Sequence, residues 1–331
     1  MTDKYRGSLF LFRMDLRIPD NTGIIEASSA SEKVMPSFIF DPRQASRNPY
    51  FSLNAFQFII ESLQDLARQV AAARGFLFIL RGQSEAFVKR LIDEEGIEAV
   101  FVNRDYTPFS RARDAAIAKV CKERRVAFHC CSDVLLHEPG DILKDDGKPY
   151  TIFSHFFRKA RSIPVRPVNA ARVANFSNLR IAPEQHEVLD YDLQDRNAQR
   201  RIRGGRSRAL EALAGLRKFA ECKTERECPA KSATTRLSAH NKIGTCSIRE
   251  VYYSVVNQLG GEHQLTVELF WRDFYSHIAY FFPHIFGGSF HPKYDTLAWD
   301  TSSKKFDAQR TLTHGAPEER GFLLSTRGCE S

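Results

Sequence analysis

Short apolar runs alternate with amphipathic stretches over the first 135 residues. Each run has five or six residues and is followed by polar ones, which is typical of strands buried on both faces of a parallel sheet. The longest stretch between them, 54–75, places its apolar positions on one helical stripe and ends at Gly75. Ser84 is the predicted cap of the next helix. The alternation predicts an α/β domain over residues 1–135, with a doubly wound, five-stranded parallel sheet and helices on both faces. The five runs are 8–13, 35–40, 76–80, 98–103 and 126–131.

Polar side chains follow the ends of these runs, and ligands of open parallel sheets bind at the carboxyl ends of the strands. Neither a GxGxxG nor a Walker motif is present, so the sequence does not indicate an ordinary nucleotide site. Two interpretations stay open, in which the polar residues either line a ligand site or only cap strands and begin loops. They are Arg13, Asp15, Arg17, Asp41, Arg81, Asn103, Asp105 and Ser132.

The pattern weakens after residue 135. Prolines and a long polar stretch predict a surface linker between domains over residues 136–203. From residue 204 the spacing becomes helical, which predicts an all-α domain over 204–308. Within it, Ser247 and Glu250 fit a capping box at the start of a helix that runs to about Gln258.

Composition narrows the class of protein. The chain is 43% apolar and 27% charged, which is ordinary for a globular protein, and no run of about 18 apolar residues predicts a membrane span. The first residues do not resemble a signal peptide, so a cytoplasmic protein is expected. Seven cysteines at irregular spacing are expected to be reduced thiols, with neither a disulfide framework nor a metal site. The net charge of +8 permits a polyanionic partner such as nucleic acid.

The stretch TTRLS, residues 234–238, concentrates three hydroxyls and one guanidinium. Ser238 is the predicted N-cap of a helix that contains His240 and Lys242. Unpaired N–H groups at a helix start, together with the hydroxyls and Arg236, would suit a phosphate or pyrophosphate. A capped helix with a surface arginine would explain the same residues.

The stretch TVELFWRDFYSHIAYFF carries a wide apolar stripe at helical spacing. Glu268, Arg272 and Tyr275 fall at i, i+4 and i+7 on one flank of this predicted helix. On an exposed helix such a Glu–Arg pair is worth only a few tenths of a kcal/mol, so by itself it indicates a solvated pair.

Taken together, these stretches resemble the DNA photolyase/cryptochrome family, with similarity from about residue 7 to about residue 307. LFLFRMDLRIPDN resembles the opening strand and loop of its antenna domain, and DYTPFSRARD and GKPYTIFSHFFRK resemble two further stretches. TTRLSAHNKIGTCSIREVYY resembles the segment that binds the flavin phosphates, and ELFWRDFY the helix beneath flavin and substrate.

The resemblance implies an antenna domain followed by a helical domain that holds FAD, and a light-driven reaction. Reduced FAD would pass an electron to a cyclobutane pyrimidine dimer flipped out of DNA, and the dimer would split and return the electron. The implied partner is damaged DNA, and the protein is expected to be a monomer. The implied catalytic residues are Glu268, which would hydrogen-bond the dimer, and Trp299, a solvent-facing member of the electron relay. The implied FAD residues are Thr234, Thr235, Arg236, Leu237, Ser238, Arg272 and Cys222, and the implied DNA-binding residues are Arg226, Glu268, Trp271, Arg272 and Tyr275.

The sequence departs from the family pattern at several positions. Cys222 stands where the family often has a tyrosine, and Leu265 where it often has a tryptophan that stacks on the lesion. Base–aromatic stacking is worth about 1–3 kcal/mol, so Leu265 should weaken lesion binding. Phe109 and Ser110 occupy positions where folate-binding members carry polar ligands, so a deazaflavin or a flavin is the expected second chromophore rather than a folate.

The tail, residues 309–331, has no helical stripe and no family resemblance, which suggests a shifted reading frame or a truncation. The family's acidic contacts to the flavin ring would lie beyond this break, so FAD binding is expected to be weak or absent. Two alternatives to a repair enzyme stay open. One is a cryptochrome-like photoreceptor, favoured by Leu265 and disfavoured by Glu268. The other is an inactive fragment with only the antenna domain folded.

Overall fold

A computed structural model describes residues 4–45, 52–178, 202–220 and 234–297 of the chain. Its first part is built on a five-stranded sheet in the order β3-β2-β1-β4-β5, and every neighbouring pair is parallel. This confirms the predicted doubly wound sheet. The strands are β1 Tyr5–Phe12, β2 Ser31–Phe40, β3 Phe78–Arg81, β4 Ala99–Asn103 and β5 Ala127–Cys131.

Helices cover both faces of the sheet, as predicted. Alternate residues of β1 point to opposite faces, so Phe10 joins the core beneath α1 and α3, while Leu9 joins the core beneath α4 and α5. The prediction that Ser84 caps α4 is wrong, because Gln83 is the extended cap residue and Ser84 is the first residue of the helix. The helices are α1 Thr22–Ala30, α2 Pro42–Ala45, α3 Leu53–Ala72, α4 Ser84–Glu95 and α5 Pro108–Glu123.

The second part is helical, as the spacing predicts. The capping box is present, since Ser247 accepts from the backbone N–H of Glu250 while the Glu250 side chain accepts from that of Ser247. The prediction that Ser238 is an N-cap is wrong, because α8 begins at Ser238 and Leu237 is the cap residue. The helices are α6 Phe153–Ala160, α7 Arg206–Ala214, α8 Ser238–Ile243, α9 Ile248–Leu259 and α10 Gln264–Phe281, with 3₁₀ turns at Leu216–Phe219, Pro283–Phe286 and Pro292–Tyr294.

The segment interpreted as a linker contributes to both cores. Phe156 and Ala160 of α6 are buried in one hydrophobic cluster with Phe270 and Phe274 of α10. Further along, Phe176 forms a parallel bridge with Val34 beside β2 and is buried in the core of the sheet. Much of the described part of 136–203 is therefore packed, and α6 belongs to the helical layer. Residues 179–201 of this segment lie outside the described residues.

A buried ionic network joins the two parts. Arg17 contacts Asp133 at 2.7 Å, and Arg249 of α9 contacts Asp133 at 2.9 Å and Asp20 at 2.9 Å. All four side chains are at most 3% exposed. Although burial would raise the pKa of Asp133, the charges of Arg17 and Arg249 lower it to about 2, so this carboxyl group stays ionised. The network fixes the N-terminal turn of α9 against the loops that follow β1 and β5.

The turn after α8 also lies directly against the sheet domain. Gly244 has φ +69°, and a Cβ atom placed there would come within 2.3 Å of the Met14 carbonyl oxygen. Next to it, the Leu16 N–H donates to the Ile243 carbonyl oxygen at 3.1 Å. A residue without a side chain therefore allows two backbones to meet where the loop after β1 reaches the helical part.

Candidate functional site: two cavities that share Arg272 and Lys242

The first cavity, which we name the inter-domain cavity, opens at the carboxyl ends of β1 and β4. Its volume is about 330 Å³. From β1 the chain adds β2 and β3 on one side of the sheet, and β4 and β5 then follow on the other side of β1. The gap between β1 and β4 is therefore the switch point at which open α/β sheets bind ligands. On the opposite wall, α10 contributes one flank of its surface. The lining residues include Arg13, Asp15, Asn103, Asp105, Tyr106, Val134, Lys242, Arg272, Tyr275 and Ser276.

Several strand-end residues of this cavity are held in a buried hydrogen-bond network. The Asn103 amide donates to Asp15 at 2.6 Å and to Asn21 at 2.7 Å, and its oxygen accepts from the Gly23 N–H at 2.9 Å. Asp105 accepts from the Ser110 hydroxyl at 2.8 Å. Burial raises the pKa of Asp15, whereas hydrogen bonds and neighbouring arginines outweigh burial and lower that of Asp105. These polar groups are therefore preorganised at the rim of the sheet.

The strand-end residues take two kinds of position. Arg13, Asp15, Asn103 and Asp105 line the inter-domain cavity. The others do not line it, and Arg17 belongs to the buried ionic network instead. The other strand-end residues that do not line the cavity are Asp41, Arg81 and Ser132.

The second cavity, which we name the helical cavity, lies among α8, α9 and α10 and has a volume of about 420 Å³. Its lining combines polar side chains with apolar ones, which is usual for a pocket that orients a largely apolar ligand. The polar residues are Thr235, Ser238, Asn241, Lys242, Glu268 and Arg272, and the apolar residues are Leu237, Val251, Val255, Leu265 and Leu269.

Helical spacing on α10 brings Glu268 and Arg272 into the helical cavity together. Glu268 accepts from the Gln264 amide at 3.0 Å. The Arg272 guanidinium donates to the Val134 carbonyl oxygen at 2.6 Å, and burial lowers its pKa. Arg272 and Lys242 line both cavities, so these two cations stand between them.

The TTRLS stretch is only partly turned toward this cavity. Thr235, Leu237 and Ser238 line it, while Thr234 and Arg236 are not among its lining residues. Arg236 has φ +55° in the turn before α8. Helix α8 has six residues, too few for a strong macrodipole, so any anion there would be held by hydroxyls, Lys242 and Arg272.

The other predicted site residues take different positions. Trp271 stacks on Phe153 with ring centroids 3.6 Å apart and on Tyr275 at 5.5 Å. Tyr275 is 64% exposed and lines the inter-domain cavity. Cys222, Arg226 and Trp299 lie outside the described residues.

Sequence reasoning missed part of the helical cavity. Asn241 follows the TTRLS motif by one turn, and Val251 and Val255 come from α9, whose apolar positions resemble those of any core helix. Lys242 is not among the site residues that the family resemblance implies, although it lines both cavities. Its position seven residues after Thr235, in the same short helix as Ser238, is a local signal that could have identified it.

In the described part of the chain, no group of three His, Cys, Asp or Glu side chains is placed to hold a metal ion. Four cysteines within this part, Cys121, Cys130, Cys131 and Cys246, are free thiols. None of the described helices is both long and apolar enough to cross a bilayer.

Comparisons with known proteins agree with this architecture. The sequence profile of the DNA photolyase family matches residues 8–172. The chain is 26% identical to a deoxyribodipyrimidine photo-lyase of Synechococcus, an alignment that covers 93% of this chain and 68% of that protein. It is 29% identical to cryptochrome-1 of Anopheles gambiae, with 84% and 59% covered. The crystal structure of an archaeal photolyase from Sulfolobus tokodaii with two FAD molecules superposes with a TM-score of 0.79 at 33% identity, covering 92% of this chain and 67% of that one.

The chain therefore belongs to the DNA photolyase family, the class of α/β-plus-helical proteins that also includes the cryptochromes.

Proposed function

We propose that this protein is a light-driven DNA repair enzyme, a lyase that splits cyclobutane pyrimidine dimers with FAD as its cofactor. The observation that carries the proposal is the helical cavity, where Glu268 and Arg272 of α10 meet Thr235 and Ser238 of the TTRLS stretch. Membership of the photolyase family and the names of its relatives support the same activity.

The residues of the helical cavity fit a flavin nucleotide. A flavin combines a flat, largely apolar ring with an anionic diphosphate, and this cavity combines five aliphatic side chains with two cations and two hydroxyls. Thr235, Ser238 and Lys242 are suited to the phosphates, and Arg272 to a carbonyl or anionic edge of the ring. A reduced flavin bound there would supply, on absorbing light, the electron that splits the dimer, and would take it back after splitting.

The chain's own residues then have separate tasks. Arg272 is held by the Val134 carbonyl oxygen, so its guanidinium is fixed before a ligand arrives. Glu268 is held by Gln264 and can offer a hydrogen bond to a lesion base only when it is protonated, since a carboxylate only accepts. The aliphatic wall formed by Val251, Val255 and Leu269 excludes water.

The inter-domain cavity is the proposed site of a second chromophore, a flavin or deazaflavin rather than a folate. The Ser110 hydroxyl already donates to Asp105, and the guanidinium groups of Arg43 and Arg113 lie over the Phe109 ring. Phe109 and Ser110 therefore provide few polar contacts for a folate. The Sulfolobus tokodaii relative, whose structure is described as containing two FAD molecules and a novel light-harvesting cofactor, supports a second flavin.

Light-dependent repair is the test of this function. With reduced FAD and near-ultraviolet or blue light, we expect the protein to restore thymine absorbance in DNA that carries cyclobutane dimers, and to do nothing in the dark. Glu268→Ala, which removes the hydrogen bond to the lesion base, should lower the repair rate about two- to tenfold, the value of one hydrogen bond of about 0.5–1.5 kcal/mol. Flavin binding without any repair of damaged DNA would instead identify a cryptochrome-like photoreceptor, the alternative favoured by Leu265.

DNA binding is expected to be largely electrostatic. If Arg226, Lys242 and Arg272 face phosphates, the logarithm of the association constant should fall linearly with the logarithm of salt concentration, by about 0.9 per phosphate neutralised. Fluorescence anisotropy with a duplex containing a dimer would measure this slope, and an undamaged duplex of the same sequence is the control. Affinity for either duplex that stays constant from low to high salt would contradict the expectation.

A further inference from the structure

Asp273 is buried immediately beside the arginine shared by the two cavities. Its side chain is 1% exposed, and one carboxyl oxygen, Oδ2, accepts from the backbone N–H groups of Leu136 at 2.9 Å and His137 at 3.1 Å. These bonds attach α10 to the segment that follows β5. The same segment presents the Val134 carbonyl oxygen to Arg272. The acid and the arginine thus share one anchoring segment.

The other oxygen of Asp273, Oδ1, has no hydrogen-bond partner among the described residues. It lies 3.7 Å from the Arg272 guanidinium. A buried carboxylate oxygen without a hydrogen bond is unfavourable, and buried polar groups in proteins are normally paired. An interaction with Arg272, or a proton, would compensate this oxygen.

The groups around this pair are charged and come from several elements. The charge of Glu138 raises the pKa of Asp273, and the charge of Asp273 raises that of Tyr106. Tyr106 donates to Glu138 at 2.6 Å, and Glu138 also pairs with Arg104 at 3.2 Å. Asp133, Arg17 and Tyr106 influence Arg272. Burial raises the pKa of Asp273 to about 7, the Arg272 charge opposes this rise, and Glu138 adds to it. Burial lowers the pKa of His137 and that of His277, which falls to about 4, so neither neighbouring histidine is charged near neutral pH.

We propose that Asp273 is a positioning residue for Arg272, and that gain or loss of its proton sets the net charge that Arg272 presents to a ligand in the cavities. The ionised carboxylate draws the guanidinium toward α10 and cancels its charge. The protonated carboxyl leaves Arg272 held by Val134 alone, with its full charge toward the ligand. This inference rests on the proposed function, because it takes FAD as the ligand.

Protonation of Asp273 and binding of an anionic ligand are thermodynamically linked, which determines how affinity changes with pH. An anionic ligand binds more tightly when Asp273 is protonated, so binding takes up a proton and affinity rises as pH falls through the pKa of this carboxyl. The FAD diphosphate keeps its charge over the range of about pH 6 to 8 in which Asp273 titrates. A pH dependence of FAD affinity in this range therefore reports on the protein.

The experiment measures the dissociation constant of FAD from about pH 6 to pH 8 for the wild-type chain, for Asp273→Asn and for Asp41→Asn. Asp41 is a matched control, because it is also a buried aspartate beside an arginine. That arginine, Arg43, lines neither cavity, whereas Arg272 lines both. We expect the wild type and Asp41→Asn to bind FAD several-fold more tightly at the lower pH, and Asp273→Asn to show no such dependence.

Two outcomes overturn the inference in distinguishable ways. If FAD binds with the same pH dependence to the wild type and to Asp273→Asn, Asp273 does not control Arg272, while the proposed function stands. If FAD does not bind at any pH, the proposed function fails and this inference fails with it.

Stability provides a second readout that needs no ligand. A raised pKa means that the contribution of Asp273 to stability is present below the unfolded-state pKa of 3.8 and is lost as pH rises through about 7. We therefore expect Asp273→Asn to gain stability relative to the wild type between about pH 5 and pH 8. A stability difference that is constant over this range would show that Asp273 does not titrate there and would overturn the inference.

Discussion

Replacing Arg249 with alanine is expected to lower the free energy of unfolding by about 3–5 kcal/mol. The substitution leaves Asp20 and Asp133 buried, with Arg17 as the remaining cation that contacts Asp133. Losing one partner of a buried pair costs more than the pair itself contributes, since the surviving charge stays desolvated. Urea unfolding of both proteins, followed by circular dichroism, would measure the difference.

Arg208→Ala is the matched control for this substitution. Arg208 also pairs with an acid, Glu211, at 2.8 Å, but both side chains are more than half exposed. Such a surface pair is worth at most about 1 kcal/mol. Equal losses of stability in Arg208→Ala and Arg249→Ala would mean that the buried network does not hold the two parts of the chain together.

The sheet could be predicted from sequence because its signal is local. Each strand is a short apolar run, and the alternation of strands and helices restricts the connections to a doubly wound form. Helix caps were harder to place. Ser84 and Ser238 have the right chemistry for a cap, but each is the first residue of its helix. The cap positions fall to Gln83 and Leu237, which make no side-chain cap hydrogen bond and carry no cap signal in the sequence.

The residues of the candidate site were likewise predictable only where they lie close together in sequence. Glu268 and Arg272 could be predicted as neighbours because four residues separate them on one helix. The network of Arg249 with Asp20 could not, since 229 residues separate the two and neither has a distinctive local pattern. Asp273 is likewise an ordinary acid in sequence, and its significance depends on the loop after β5 that packs against it.

The largest effect on ligand binding is expected from Arg272→Ala. Arg272 lines both cavities and is held in place by the Val134 carbonyl oxygen. A hydrogen bond from a charged donor is worth about 1.5–3 kcal/mol, so its loss should weaken FAD binding by a factor of about 10 to 150. Arg208→Ala, on the surface of α7, should bind FAD as the wild type does. Equal affinities of Arg272→Ala and the wild type for FAD would show that Arg272 does not contribute to FAD binding.

Titration of the wild-type chain with FAD, followed by flavin fluorescence, shows whether the flavin occupies the helical cavity. The comparison includes Arg272→Ala and Asp105→Asn, a substitution confined to the inter-domain cavity. We expect saturable FAD binding that Arg272→Ala reduces and that persists at the helical cavity in Asp105→Asn. Binding that does not saturate in the wild-type chain, or that is lost in Asp105→Asn and unchanged in Arg272→Ala, would contradict the assignment of the flavin to the helical cavity.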